Sequence, residues 1–347
     1  MTHLGTRHLP TTVLFEIDTR VICAINGAAA GYGFDLALGC DMRLMSDGAK
    51  LLALVRSDDF KEAMVAYAES GGRRASRAAD GARRSCLTTD AGTAVACFTF
   101  DNMGEAAEIG AGTLDAPRPA GTEPSLALGQ PRLLDLLDAH SVRATFFLEG
   151  WNGVHHPEAV REVVARGHEL GMHGWLHETW HELDPARERD LAERATRALE
   201  EAAGVRPVGF RAPGGARTAS SEAILDGLGY AYDASLGDGM RPALLPGGLA
   251  QVPFVWPGVD GFFYLRESPA EPAEVQSRWL EALDKAAARG GLFVLVCHAH
   301  ITGLDEHRLA ALGAVMAAAA ADPRIALRTV GEVAAAVRGA GAAPAAG

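Results

Sequence analysis

The chain of 347 residues lacks a Cys-x-x-Cys pair, an excess of positive charge and any long apolar run. Its five cysteines, at 23, 40, 86, 97 and 297, are odd in number and scattered, which reads as reduced thiols and not as a disulfide framework. Cys97 and Cys297 sit in strand-like apolar runs, where packing is the expected role. A formal net charge of −12 leaves no dominant basic surface, so neither nucleic acid nor an anionic membrane is an expected partner. No segment reaches the ~20 consecutive apolar residues that span a bilayer. Residues 1–10 show no apolar stretch behind their positive charges, so a cytoplasmic protein with an intracellular substrate is expected. What is present, 48% hydrophobic and 22% charged residues, suits a globular chain with room for one large domain or two modest ones.

Residues 20–47 read as a buried strand at 21–25, an Asn26-Gly27 turn, a glycine-spaced loop entering an apolar helix, and a second strand at 42–45. Glycines 27, 31 and 33 allow close backbone approach and leave N–H groups pointing outward at a helix start. This stretch resembles the crotonase (enoyl-CoA hydratase) family at the loop that supplies one oxyanion-hole N–H, and residues 56–63 resemble that family's C-terminal helix. The second half of the oxyanion hole and an acid/base Glu pair are missing. Residues 1–72 are therefore expected to be a truncated crotonase-like α/β fragment without that activity, serving as a docking or homo-oligomerisation surface or left over from gene fusion. Residues 73–93, polar and arginine-rich, read as a linker.

From residue 94 onward apolar runs at 95–100, 144–148, 168–172, 209–211, 230–232, 292–297 and 324–328 alternate with helical patterns. The helices are expected at 128–140, 157–166, 185–203, 220–228, 272–289 and 304–321, with a short one before a disordered tail at 339–347. Such alternation implies a mainly parallel sheet covered by helices, either a barrel or a doubly wound sheet. In a barrel the carboxyl ends of the strands carry the chemistry.

Polar residues accumulate at those ends. Asp101 and Asn102 follow the first strand, His173 and His177 the third, Arg211 the fourth, Asp233 the fifth, and His298 and His300 the sixth. Two imidazoles four residues apart project from one side of a helical turn and can chelate one ion.

Residues 94–338 resemble the polysaccharide deacetylase (NodB-homology, carbohydrate esterase 4) family. Thr99-Phe100-Asp101-Asn102, His173–His177 preceded by Gly167-His168-Glu169-Leu170-Gly171, Arg211-Ala212-Pro213 and Val296-Cys297-His298 match its motifs in order. The resemblance implies a distorted (β/α)7–8 barrel and a divalent metal, first Zn²⁺, then Co²⁺, Mn²⁺ or Ni²⁺, held by Asn102, His173 and His177. It further implies Asp101 as general base, Arg211 holding Asp101 ionised, His298 as acid with His300 as its substitute, and Asp233 as the carboxylate beside that histidine. Asn102 stands where the family commonly has a metal-binding Asp, and Glu105 or Glu108 is a candidate for the missing charge. Trp175 and Trp180 either line the pocket or pack in the core; residues 253–264 read as a lid or groove wall, and helix 185–203 as a solvated face. The expected activity is removal of an acyl group, most simply acetyl, from a small sugar-like substrate. Two alternatives are a hydrolase of another C–N bond, of allantoinase or cyclic-imide type, and a catalytically degenerate acyl-CoA- or partner-binding protein.

Overall fold

The computed structural model describes residues 93–342, apart from 120 and 238, and two short strands upstream. The chain divides into two compact units, Met1–Arg84 and Ser85–Gly347. In the first, β1 (Ile22–Ile25) and β2 (Met42–Met45) pair in parallel, with Ile22 opposite Met42 and Ile25 opposite Met45. Both strands fall where the sequence places them. The rest of the crotonase-like reading, and the linker up to residue 92, lie outside the described residues.

The second unit is built on β3 (Ala94–Asp101), buried along its whole length. It is followed by β4 (Thr145–Leu148), β5 (Glu169–Met172), β6 (Gly209–Phe210), β7 (Tyr232–Asp233), β8 (Ala243–Leu244), β9 (Ala250–Gln251), β10 (Leu292–His298) and β11 (Ile325–Leu327). The spatial order is β10-β3-β4-β5-β6-β7-β9-β8, with β11 beside the start of β3; every pairing is parallel except β8 with β9. The curled sheet is joined across its gap by the chain after β9, through single bridges of Phe254 to Leu236 and Val259 to Val296. The result is an incomplete barrel. Two-residue strands such as β6 and β7 cannot continue a regular ladder around a closed ring.

Helices α1 (Ala106–Gly110), α2 (Gln130–Ala139), α3 (Gly150–His155), α4 (Pro157–Ala165), α5 (Pro185–Ala203), α6 (Ser221–Gly227), α7 (Asp260–Tyr264), α8 (Pro272–Arg289) and α9 (Glu306–Ala321) occupy the crossovers, and α10 (Val330–Ala342) follows the last strand. The long amphipathic ones match the sequence reading, and α5 shows why. Asp184 accepts hydrogen bonds from the N–H groups of Ala186 and Arg187 at its start, and Gly204, at φ 73°, closes its end. It is solvated on one face only: Leu191, Ala192, Ala195 and Leu199 are buried. Gly150 in α3 lies so close to α5 that an added Cβ would stand 2.3 Å from the Cα of Ala195. The short α1, α3 and α7 are absent from the sequence reading because five or six residues carry too little periodicity. Helix α10 runs past Gly339 to Ala342.

Cys97 on β3 and Cys297 on β10 are buried free thiols, as packing residues should be. Trp175 and Trp180 belong to the core: Trp180 is 1% exposed and donates its indole N–H to Glu188 at 2.8 Å, and Arg194 lies 3.6 Å above the Trp175 ring.

Candidate active site

The pleat of the sheet selects which strand-end side chains meet. Residues paired in register share a face, and residues one apart take opposite faces. His298 pairs with Asp101, and Asp101 with Phe147, so these side chains stand on the inner face at the carboxyl mouth.

Arg211, 1% exposed, crosses that face. Its Nη1 donates to Asp101 Oδ1 at 2.7 Å and to Thr99 Oγ1 at 2.7 Å, and its Nε donates to the carbonyl of Ala234 at 2.9 Å. The guanidinium stacks 4.2 Å from the Phe147 ring, while its buried Nη2 has no partner. Burial raises the pKa of Asp101 more than the Arg211 and His298 charges lower it, so the carboxyl titrates above its ordinary range. The sequence expectation that Arg211 holds Asp101 ionised is only half the balance.

His173 and His177 come together with ring centroids 5.1 Å apart. They do so on a loop and not on a helical turn, which corrects the sequence reading. Gly174 (φ 77°) and His177 (φ 61°) both take the left-handed backbone, which no continuous helix contains. Glu178 fixes the loop between them by accepting the N–H groups of Trp175 and Leu176, each at 3.0 Å. The Nδ1 of His173 meets the carbonyl of Arg211 at 2.8 Å. A carbonyl only accepts, so Nδ1 carries the proton and Nε2 presents its lone pair. Burial, then the neighbouring His177, lowers the pKa of His173 well below its ordinary value. Burial, then His298, brings His177 down to about 4. Both imidazoles are neutral at pH 7, the form that binds a metal.

Asn102, at φ 55°, leaves the strict alternation of β3. Its Oδ1 is buried and accepts no hydrogen bond, which in a packed interior calls for a ligand. Two neutral imidazoles and an orphaned amide oxygen fit a borderline divalent ion. Among the described residues no group of three or more His, Cys, Asp or Glu side chains is arranged to hold one, so the third donor is the amide or comes from outside the chain. Neither acidic substitute is free. Glu105 is spent on His156 Nε2 at 3.0 Å and the N–H of Arg118 at 2.9 Å, and Glu108 on the Arg118 guanidinium.

At the other side of the mouth His298 has a carboxylate partner, but it is Asp260 and not Asp233. The Asp260 Oδ1 lies 2.6 Å from His298 Nδ1; its Oδ2 accepts the N–H of His298 at 2.8 Å and the hydroxyl of Thr302 at 2.6 Å. Burial by itself would lower the His298 pKa, but the charge and hydrogen bond of Asp260, with Asp101 behind, raise it overall. Asp233 pairs in register with Phe210 and so takes the face opposite Arg211. There it binds Arg217 and accepts the Ser235 hydroxyl at 2.6 Å; Ser235 in turn accepts the N–H of Ala212 at 2.9 Å. His300 meets the His298 ring edge-on at 5.4 Å, and among the described residues no carboxylate is paired with it as Asp260 is with His298.

Asp260 had a signal in the sequence. A carboxylate inside Val259-Asp260-Gly261-Phe262-Phe263-Tyr264 is bound to be buried and therefore partnered. The expected lid or groove wall at 253–264 thus contributes to the site itself, while Phe254 packs against Gly215 and faces Arg211 at 5.1 Å.

These features make one polar centre: a carboxylate held by arginine, a histidine held by a carboxylate, and a pair of neutral histidines beside them. The polysaccharide deacetylase family model matches residues 92–232. A crystal structure of a Mycobacterium smegmatis protein assigned to the polysaccharide deacetylases is 30% identical, covers 74% of this chain and 95% of that one, and superposes with a TM-score of 0.69. The chain belongs to the polysaccharide deacetylase family. A peptidoglycan deacetylase-like protein of Gibberella zeae is 33% identical over 111 residues, 31% of this chain and 33% of that protein. The chain thus spans about a third of the length of that curated relative. An allantoinase shares the fold, with a TM-score of 0.61 at 20% identity over 71% of this chain and 91% of its own.

Proposed function

We propose that this protein is a metal-dependent hydrolase that removes an acyl group, most simply acetyl, from the nitrogen of an amino-sugar-like substrate. The observation that carries the reading is the register of His298 with Asp101 on neighbouring strands, each held by a partner of opposite charge. An acid and a base placed side by side can take a proton from water and return it to the departing amine.

His173, His177 and Asn102 would hold the metal, which supplies polarisation of the acyl carbonyl and acidification of water. Asp101 accepts the proton of the attacking water, and its raised pKa makes it a better proton acceptor in its ionised form. Arg211 fixes the orientation of that carboxylate through Nη1. His298, kept protonated by Asp260, gives its proton to the leaving amine as the C–N bond breaks. After β6, β7 and at the end of β9, Gly215, Ala216, Arg217, Leu236, Gly237 and Gln251 line an open, polar cavity of about 350 Å³.

Hydrolysis of another C–N bond has only the shared allantoinase fold in its favour. A purely binding role leaves the paired acid and base without a purpose. The test is acetate release from N-acetylated chitooligosaccharides and peptidoglycan fragments, with allantoin as the competitor, by chelator-treated protein with and without added Zn²⁺ or Co²⁺. Metal-restored acetate release supports the proposal, and turnover of allantoin alone overturns it.

A further inference from the structure

The charges at the mouth are unevenly settled. Asp101 is matched by Arg211, Asp260 by His298, and Glu105 by His156. The donor set Asn102, His173 and His177 is neutral throughout, so a divalent cation bound there brings two positive charges that none of these pairs offsets. Burying an uncompensated charge is costly.

One more carboxyl group lies at the same level. β4 and β5 pair Phe147 with Gly171 and Leu148 with Met172, and the ladder continues through the His173 N–H on the Leu148 carbonyl at 2.8 Å and the Gly150 N–H on the Gly174 carbonyl at 2.9 Å. This places Glu149 beside His173. Glu149 is 0% exposed. Its Oε2 accepts the Met103 N–H at 3.4 Å and Asn152 Nδ2 at 3.0 Å, while Oε1 has no partner at all. The same Asn152 amide donates to the Met103 carbonyl at 2.8 Å. Both polar groups of the residue after Asn102 are therefore tied to Glu149 and its neighbour. No cation pairs with Glu149 among the described residues. Burial, only partly offset by hydrogen bonds from the backbone, raises the pKa of its carboxyl well above the ordinary value, so the ionised form is favoured only with a cation at the neighbouring donors. Glu178, the other carboxylate of this region, differs in having both oxygens occupied by backbone N–H groups.

We infer that Glu149 is the charge-compensating and positioning residue of the metal site: its carboxyl supplies, from behind Met103, the negative charge that Asn102 cannot, and sets the Asn102 backbone through Met103. It does so without ligating the ion, since no three His, Cys, Asp or Glu side chains among the described residues are arranged to share one. A buried, strained Asn102 is then maintained by a neighbouring strand end.

This inference rests on the metal reading above, and Zn²⁺ affinity separates the two. Chelator-stripped full-length protein is titrated with Zn²⁺ against a chromophoric competitor, for the wild type, Glu149→Gln, Asn102→Asp and the double variant. Glu149→Gln keeps the shape and the acceptor for Met103, and far-ultraviolet circular dichroism checks that it stays folded. The expected result is a loss of roughly 10- to 100-fold in Zn²⁺ affinity for Glu149→Gln, the range for groups behind the ligands. Asn102→Asp in the Glu149→Gln background should restore affinity to about the wild-type level, because it returns the charge without replacing the Met103 contact. Unchanged affinity in Glu149→Gln, or a folded double variant as weak as the single one, overturns the charge role. A wild type that binds no Zn²⁺ overturns the metal reading and this one with it.

Discussion

The two sides of the mouth are finished to different degrees. Beside His298 both oxygens of Asp260 are matched: they bind the ring, the backbone N–H of His298 and the Thr302 hydroxyl, all within 2.8 Å. Around His173, His177 and Asp101, by contrast, Asn102 Oδ1, Glu149 Oε1 and Arg211 Nη2 are buried and unpartnered. A packed interior tolerates few such atoms, because each costs roughly 1–3 kcal/mol when left without a partner. The difference teaches where ligands belong. On the proposed reading, the side that moves a proton is complete in the protein, and the side that receives ion and substrate is completed only by what it binds.

The largest break comes on the unfinished side. His173→Ala should abolish stoichiometric metal and lower acetate release by at least ~10³-fold, with the fold retained, since the loss falls at a barrel mouth. Metal content by atomic spectroscopy decides it, and full occupancy would remove His173 from the ligand set. Asp101→Asn should cost on the order of 10²–10⁴-fold in kcat, the range for positioned acid–base groups, with metal content unchanged.

On the finished side Asp260→Asn sharpens the comparison through pH. In the proposed reaction His298 acts protonated, so activity should fail as pH rises through its raised pKa. Removing the Asp260 charge lowers that pKa, and the alkaline limb of the pH–rate profile should move to lower pH, with kcat down on the order of 10²-fold. Asp101 acts ionised in that proposed reaction, so the acidic limb reports its own raised pKa, failing as pH falls through it. The Asp260 charge is the smallest of the influences on that pKa and raises it, so in Asp260→Asn the acidic limb should move less than the alkaline one, and to lower pH. The smallest effect belongs to Asp233→Asn. It should leave the alkaline limb where it is and cost roughly 1–3 kcal/mol of stability, through the Arg217 and Ser235 contacts, as read by urea unfolding. A shift of the alkaline limb in Asp233→Asn but not in Asp260→Asn would reverse the assignment.

Much of this was legible in the chain. The strand and helix alternation gave β3, β4, β5 and β10 and the long helices, because each holds enough residues for period and end signals to show. Asp101, His173, His177, Arg211 and His298 stood out because polar residues end apolar strands there. Asp233 stood out for the same reason, and wrongly. Its neighbour Tyr232 takes the inner face, so Asp233 cannot, and a two-residue strand shows no alternation from which to read this. The helical turn expected for the histidine pair failed on local chemistry, since a left-handed His177 depends on Glu178 holding two N–H groups from outside the backbone.

By itself the sequence determined which residue types were available at which strand ends, since hydrophobic period and turn chemistry are local properties of the chain. Only the tertiary structure decided partners. That Asp260 and not Asp233 serves His298 depends on a bridge between Val259 and Val296, 37 positions apart, and that Glu149 stands beside His173 depends on the register of β4 and β5. Contacts of that kind are set by how the sheet curls and which face each pleat presents, and neither is written in any one stretch of residues.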